Sequence, residues 1–165
     1  WLARMLAGGE DVKYILRRLV RFASEDVGLA DPDALRQALA ARDAYQYLGS
    51  PEGELAVVQA VVYLSTAPKS NALYTAEQAA NRAAKRYGSL PPPSSILNAP
   101  TATMKELGYG EGYVYDHDTE HGFSGQNCFP ESMPRQHFYK PVERGFERDI
   151  NRRLAYWEKL RRAKR

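Results

Sequence analysis

Apolar residues recur at three- and four-residue spacing along the first half of the chain, the pattern of helices that each bury one face. The clearest case lies between residues 10 and 28, where basic side chains occupy many of the other positions. Gly8-Gly9 separates this segment from a short helix beginning at Trp1, and Gly28 is placed to end it. The apolar positions of this predicted helix are Val12, Ile15, Leu16, Leu19, Val20, Ala23 and Val27.

Three more helices are indicated by residues that start helices. Asp31-Pro32 and Ser50-Pro51 each place an oxygen-bearing cap before a proline, which is favoured in the first turn, and Ser70 or Asn71 can cap the next helix. The predicted helices span residues 31–49, 52–66 and 71–87. Four consecutive helices with short connections are typical of an antiparallel bundle, so the sequence predicts an all-α fold.

The segment 52–66 is apolar on nearly every side. Its valine content could instead suggest a strand, but the start signal and the length favour a helix. Such a helix must be covered all round, by its own domain or by another subunit. Gln59 lies within it, and a buried amide needs a hydrogen-bond partner, either across a subunit interface or in the same domain. The candidate interface residues, with burial inside the protomer as the equal alternative, are Val57, Val58, Gln59, Val61 and Val62.

The second half of the chain has a different character. Three prolines at 91–93 must be extended, and glycine, proline and aromatic residues dominate from Gly108 to Pro141. The glycines oppose a long helix, whereas the aromatic residues argue against disorder because exposing them all would be costly. We expect a helical core at residues 1–88, an ordered irregular wrap at 89–141 and a charged helix at 142–165, all in one structural domain.

Composition places the chain among soluble globular proteins. Hydrophobic residues make up 44% and charged residues 26% of 165 residues, and no apolar run approaches the ~20 residues of a membrane-spanning helix. One cysteine, Cys128, excludes an intrachain disulfide, and a cytosolic compartment fits best. The chain begins with Trp1 rather than methionine, so we expect it to be a fragment of a longer protein.

Positive charge is concentrated at the end of the chain. From Arg135 onward there are 11 basic and 4 acidic residues, a net charge of +7, whereas the preceding part carries −4. This pattern indicates contact with nucleic acid or an acidic protein, or else a solvated terminal helix. Arg17-Arg18 and Arg21 form a second basic face, for which we favour pairing with Glu25 and neighbouring acids over phosphate binding. The candidate DNA contacts are Arg152, Arg153, Arg161 and Arg162.

The sequence contains no strong catalytic or metal-binding pattern. His117 and His121 could share a metal on a helix, but the neighbouring glycines oppose a helix there. The glycines at 108–112 resemble a phosphate-binding loop only loosely, and no P-loop pattern occurs. Cys128 with a histidine matches no known nucleophile signature. We therefore expect no catalytic, cofactor or metal site in this chain.

Three stretches carry a resemblance to a known family. Residues 8–32 read GGEDVKYILRRLVRFASEDVGLADP. Within residues 51–71 occur PEGE, QAVVYL and APKSN, and within residues 98–110 occur NAPT and MKELGYG. Together with FYKPVERG at 138–145, these segments resemble the C-terminal half of the MgsA/RarA family of AAA+ ATPases, whose eukaryotic relative is the Werner helicase-interacting protein.

The resemblance implies a helical oligomerisation domain similar to the collar of clamp loaders, assembled as a homotetramer. It places the ATP and Mg²⁺ site of the parent ATPase upstream of Trp1, and residues 1–25 near the junction with the AAA+ lid. It further implies that the parent acts on DNA at stalled replication forks in the bacterial cytoplasm, associated with the nucleoid. Single-stranded-DNA-binding protein is its implied partner.

Overall fold

The computed structural model describes residues 1–163, and all the regular secondary structure of these residues is helical. Over those residues it contains no β-strand, so the predicted all-α fold is confirmed. Within the same range, no helix combines the length and apolar composition required to cross a bilayer. The helices are α1 Leu2–Ala7, α2 Val12–Phe22, α3 Ala34–Leu48, α4 Glu54–Thr66, α5 Ala72–Tyr87, α6 Ala102–Glu106 and α7 Glu147–Ala163.

The predicted helix at residues 10–28 is interrupted in the structure. The α-helical part ends at Phe22 and continues as a π-helical turn over Ala23–Val27, followed by a 3-10 turn over Gly28–Ala30. Ala23 and Val27 are buried, at 1% and 0% exposure. Both buried side chains of the π turn therefore face the core of the first unit.

Side-chain oxygens cap some helices but not α4, which begins after Gly53 without a side-chain cap, so the predicted Ser50 cap is wrong. The Asp31 carboxyl accepts a hydrogen bond from the Asp33 amide at 3.0 Å, and α3 begins two residues later than expected for that cap. Ser70 Oγ accepts from the Ala72 amide at 3.2 Å, as predicted for the start of α5. Thr101 likewise caps α6 through the Met104 amide at 3.3 Å.

Two compact units divide the chain. The first comprises Trp1–Gln78 and Tyr139–Asn151, and the second comprises Ala79–Phe138 with the chain from Arg152 onward. Two of the three boundaries between the units fall within α5 and α7, and the third lies between Phe138 and Tyr139, outside the helices.

The first unit contains two buried clusters. One lies among α2, α3 and α4 and consists of Val12, Ile15, Leu16, Ala41, Val57 and Ala60. The other involves the π turn, α3 and α4, and consists of Ala23, Val27, Ala34, Ala38, Leu64 and Ala67. Alanines supply four of the six residues of the second cluster, so the backbones of these elements approach closely.

The second unit is largely irregular and is held by side-chain contacts to backbone groups. Gln126 accepts a hydrogen bond from the Val114 amide at 3.1 Å and donates one to the Gly112 carbonyl at 2.5 Å. The Phe123 ring stacks against the Trp157 ring of α7 with their centres 6.1 Å apart. Aromatic packing thus orders this segment, in keeping with the expectation drawn from its composition.

Candidate functional site

Helix α4 has one buried and one exposed apolar face. Val57, Ala60 and Leu64 are 0–2% exposed and face the core. On the opposite side, Leu55 is 74% exposed and Val62 57%. Val58, 41% exposed, lies between them at helical spacing, so the three side chains share one exposed side of the helix, together with the uncharged amide of Gln59. We call Leu55, Val58 and Val62 the α4 face.

The residues proposed for a subunit interface divide between these two faces. Val57 is fully buried within the first unit, and Val61 is half-buried. Val58 and Val62 are exposed on the α4 face. Gln59 is also exposed, so its amide is not buried within the protomer, and a partner across a subunit interface stays a prediction. The physical reason is register, because Gln59 follows Val58 on the side turned away from the core.

The α4 face carries no charged side chain. Glu54, at the first turn, is the single charged residue of α4, and its carboxyl accepts a hydrogen bond from the Ser50 hydroxyl. At the other end of the helix, the hydroxyls of Ser65 and Thr66 donate to the carbonyls of Val61 and Val62 at 2.6 and 3.0 Å. The exposed side of α4 is therefore neutral along its length.

The predicted DNA contacts on α7 are partly engaged within the protein. Arg161 donates to Glu158 at 2.6 Å, and its guanidinium lies 5.1 Å from the centre of the Phe123 ring. The hydrogen bond from Arg161 lowers the pKa of Glu158, and Arg162 lies 3.6 Å from the same carboxyl group. Arg152 and Arg153 are exposed, and DNA binding by α7 stays a prediction.

A second basic surface lies between α2 and α3. Lys13, Arg17, Arg18 and Arg21 of α2 and Arg42 of α3 line a cleft of about 700 Å³. Arg21 pairs with Glu25 at 2.5 Å, and this hydrogen bond is the main cause of the lowered pKa of Glu25. The pairing favoured by the sequence is thus confirmed for Arg21. Over residues 1–163 no acidic side chain forms an ion pair with Arg17 or Arg18.

The histidines of the irregular segment contact aromatic rings. The His117 ring lies 4.9 Å from that of Tyr115, and the His121 ring lies 6.5 Å from that of Tyr156. Cys128 is exposed. In the part of the chain that the structure describes, no three His, Cys, Asp or Glu side chains are grouped as a metal would require.

Sequence reasoning missed a buried polar cluster in the first unit. Glu147 is 0% exposed and its carboxyl group accepts hydrogen bonds from Ser70 Oγ, Tyr139 OH and the Val142 amide at 2.7–2.8 Å. Burial, followed by the hydrogen bond to Glu147, raises the pKa of Tyr139 well above its ordinary value. No local signal distinguishes Glu147 from the other acids of α7, because its burial depends on Ser70, which lies 77 positions away in the sequence.

A second tyrosine–carboxyl contact joins α4 to the start of α3. Tyr63 OH donates to Asp31 Oδ2 at 2.8 Å. This hydrogen bond, with burial as the next cause, raises the pKa of Tyr63 to about 12. Both contacts hold helices of the first unit and leave the α4 face free.

Comparison with known proteins places this arrangement in a family. The family model described as "MgsA AAA+ ATPase C terminal" matches residues 1–158. The chain is 51% identical over 161 residues to Replication-associated recombination protein A of Coxiella burnetii, covering 97% of this chain and 37% of that protein.

Two further relatives carry the same name. The protein of Haemophilus influenzae is 48% identical, with 98% of this chain and 36% of the relative covered. The protein of Escherichia coli K12 is 45% identical, with 94% of this chain and 35% of the relative covered. The chain thus spans a little over a third of the length of these curated relatives. Because the family model and the relatives cover nearly all of its sequence, this chain belongs to the MgsA AAA+ ATPase C-terminal family.

Proposed function

We propose that this chain is the oligomerisation module of a AAA+ ATPase and that it assembles as a homotetramer. The observation that carries the proposal is the α4 face, where Leu55, Val58 and Val62 are 41–74% exposed on a helix whose other side is buried. A contiguous apolar face that nothing in the protomer covers is typical of an interaction surface.

A second copy of the chain is the occupant that the chemistry of the α4 face favours. The face is apolar and uncharged, so two copies can meet without bringing like charges together. Contacts with two-fold symmetry, the commonest in homo-oligomers, bring the same patch of two copies together. Tyr47 and Leu48 at the end of α3, 90% and 53% exposed, add apolar surface in the same unit toward the roughly 1,000 Å² that a specific contact buries.

The function of such a module is to space the ATPase modules on DNA. In this proposal the ATPase module, with its ATP and Mg²⁺, precedes Trp1 in the parent protein, and the assembly resembles the collar of clamp loaders. The relatives are named for replication-associated recombination, which supports an action on DNA at stalled forks in the bacterial nucleoid. Association with single-stranded-DNA-binding protein belongs to the same proposal.

Light scattering coupled to gel filtration tests the oligomeric state. We expect about four times the 18.6 kDa mass of one chain at micromolar concentration. Val62→Glu places a charge on the α4 face and should reduce the mass to that of the monomer. Leu107→Glu is the matched control, since Leu107 is 67% exposed in the second unit and lies outside the α4 face. A monomeric wild-type chain, or a tetramer unaffected by Val62→Glu, contradicts the proposal.

DNA binding through α7 is the alternative function. The exposure of Arg152 and Arg153 on a helix with a basic end favours it. The double variant Arg152→Gln/Arg153→Gln should then lose affinity for DNA and show a weaker salt dependence. Unchanged binding by this variant would remove α7 as the contact.

A further inference from the structure

We propose that the cleft between α2 and α3 binds the backbone of single-stranded nucleic acid. Its five basic residues are Lys13, Arg17, Arg18, Arg21 and Arg42, and its lining contains no acidic residue. The remaining lining residues are Tyr14, Leu16, Val20, Ser24 and Gln46. A basic groove with an accessible aromatic ring is the combination by which proteins hold single strands.

The charges are arranged as a row. Lys13, Arg17 and Arg21 follow one another at four-residue spacing, so they lie on one side of α2 and are separated by about 6 Å along the axis. Arg42 approaches from α3, on the other wall of the cleft. An extended polyanion can therefore contact several cations at once, whereas a single small anion would contact one or two.

Most of these cations are available to a ligand. Lys13, Arg17 and Arg18 are exposed, and over residues 1–163 none of the three forms an ion pair with an acidic side chain. Arg21 is held by Glu25 and Arg42 by Asp43, at 2.5 and 2.8 Å. Both arginines are at least 43% exposed at the side chain, and ion pairs of such exposed groups contribute little to stability.

Tyr14 distinguishes a single strand from other polyanions. Tyr14 is 45% exposed and lines the cleft, so part of its ring is accessible to a ligand there. Bases of a single strand can stack on such a ring, whereas the bases of a duplex are already stacked on one another. Gln46, exposed on α3, adds an amide that can pair with base edges.

The test measures fluorescence anisotropy of a labelled 20-nucleotide oligo-dT with the 165-residue chain over a range of salt concentrations. In the triple variant Lys13→Gln/Arg17→Gln/Arg18→Gln we expect at least tenfold weaker binding at fixed salt. The slope of log affinity against log salt should also fall by about 2, since each phosphate contact on a single strand contributes about 0.7. The control Arg82→Gln/Lys85→Gln/Arg86→Gln removes the same charge from exposed positions of α5 and should change affinity less than threefold.

Tyr14→Leu tests the aromatic contact. It removes the ring but keeps an apolar side chain, and we expect about fivefold to tenfold weaker binding with an unchanged salt slope, as loss of a stacked base implies. Should a variant fold poorly by circular dichroism, the single change Arg17→Gln at an exposed position should still reduce the slope by about 0.7.

Several outcomes would overturn the proposal. They are oligo-dT affinity unchanged in the triple variant, an equal loss in the α5 control, and tighter binding to a 20-base-pair duplex than to the single strand. If a 20-residue polyglutamate peptide binds through the same arginines while oligo-dT does not, the cleft recognises an acidic protein instead. Because Val62 does not line this cleft, the α4 variant tests oligomerisation separately.

Discussion

Ser70 Oγ donates a hydrogen bond of 2.8 Å to Glu147 Oε2, joining residues that lie 77 positions apart in the sequence. Ser70 is 3% exposed and its amide donates to the Asp26 carbonyl at 2.7 Å, so it is itself fixed by the end of the π turn. The first turn of α7 is thereby attached to the start of α5 and to the region after α2. The chain from Tyr139 to Asn151, which contains Glu147, belongs to the same unit as Ser70.

Removing the Glu147 carboxyl group should destabilise the first unit strongly. Glu147→Ala leaves the Ser70 hydroxyl, the Tyr139 hydroxyl and the Val142 amide without their acceptor. Each buried donor that is left without a hydrogen bond lowers the stability by about 1–3 kcal/mol. We expect a decrease of at least about 3 kcal/mol in the free energy of unfolding, measured by urea titration. Glu77→Ala, an exposed change on α5, should stay within about 0.5 kcal/mol and serves as the control. Equal effects of the two would contradict a structural role for Glu147.

Gly145 occupies a position that only glycine can fill. Its φ is +51°, and a Cβ there would overlap the Ala30 carbonyl oxygen. That oxygen accepts the Phe146 amide hydrogen bond at 2.8 Å, which a displaced backbone would lose.

Gly145→Ala should therefore lower the free energy of unfolding by more than about 2 kcal/mol, from backbone strain and the lost hydrogen bond together. Gly112→Ala is the matched control, because Gly112 also has a positive φ, +75°, but nothing lies within 4 Å of its added Cβ. For Gly112→Ala we expect a decrease of about 1 kcal/mol in the free energy of unfolding. If urea titration gives the same decrease in the free energy of unfolding for both variants, the close approach of Gly145 to Ala30 does not add to the cost of the substitution.

The Tyr63–Asp31 contact should make stability sensitive to alkaline pH. The pKa of Tyr63 is raised to about 12, mainly by the hydrogen bond to Asp31, while an unfolded tyrosine titrates near 10. A folded-state pKa above the unfolded one contributes stability that is complete below pH 10 and is lost as pH rises toward 12. The urea midpoint should fall across this window.

In Tyr63→Phe this alkaline fall should be shallower and the stability at pH 7 lower by about 1 kcal/mol, since one hydrogen bond is lost. Tyr139→Phe provides the comparison. The pKa of Tyr139 is also raised, so removing its hydroxyl should independently make the alkaline fall in stability shallower. A pH profile identical to wild type in Tyr63→Phe would show that this contact does not contribute.

Phe123 should order the aromatic contacts of the second unit. Its ring stacks on Trp157 and lies under the Arg161 guanidinium. Phe123→Ala should shift Trp157 fluorescence to longer wavelength and cost about 1–2 kcal/mol, as expected for an aromatic pair with its associated burial. Trp1, 89% exposed, is replaced by phenylalanine so that Trp157 alone reports. Phe22→Ala in the same background is the control, since Phe22 belongs to the first unit, and it should leave the emission of Trp157 unchanged.

Local sequence determined where most helices lie. The apolar spacing at 31–49, 52–66 and 71–87 agrees with α3, α4 and α5 to within three residues at each end. The family could be recognised too, because long segments such as residues 8–32 carry it without reference to three-dimensional contacts. These properties depend on neighbouring residues in the chain, which a sequence shows directly.

Exposure and long-range pairing were decided by the tertiary structure. The apolar composition of α4 predicts a helix that is covered on all sides. In the structure, α2 and α3 pack only against the side of Val57, and Val58 and Gln59 are exposed. From the sequence, Glu147 is one more charged residue of the terminal helix. In the structure its carboxyl group is the acceptor of Ser70, which lies 77 positions away in the sequence. The physical reason is that periodicity identifies which residues share a face, whereas only the positions of the other elements determine which face meets protein and which meets water.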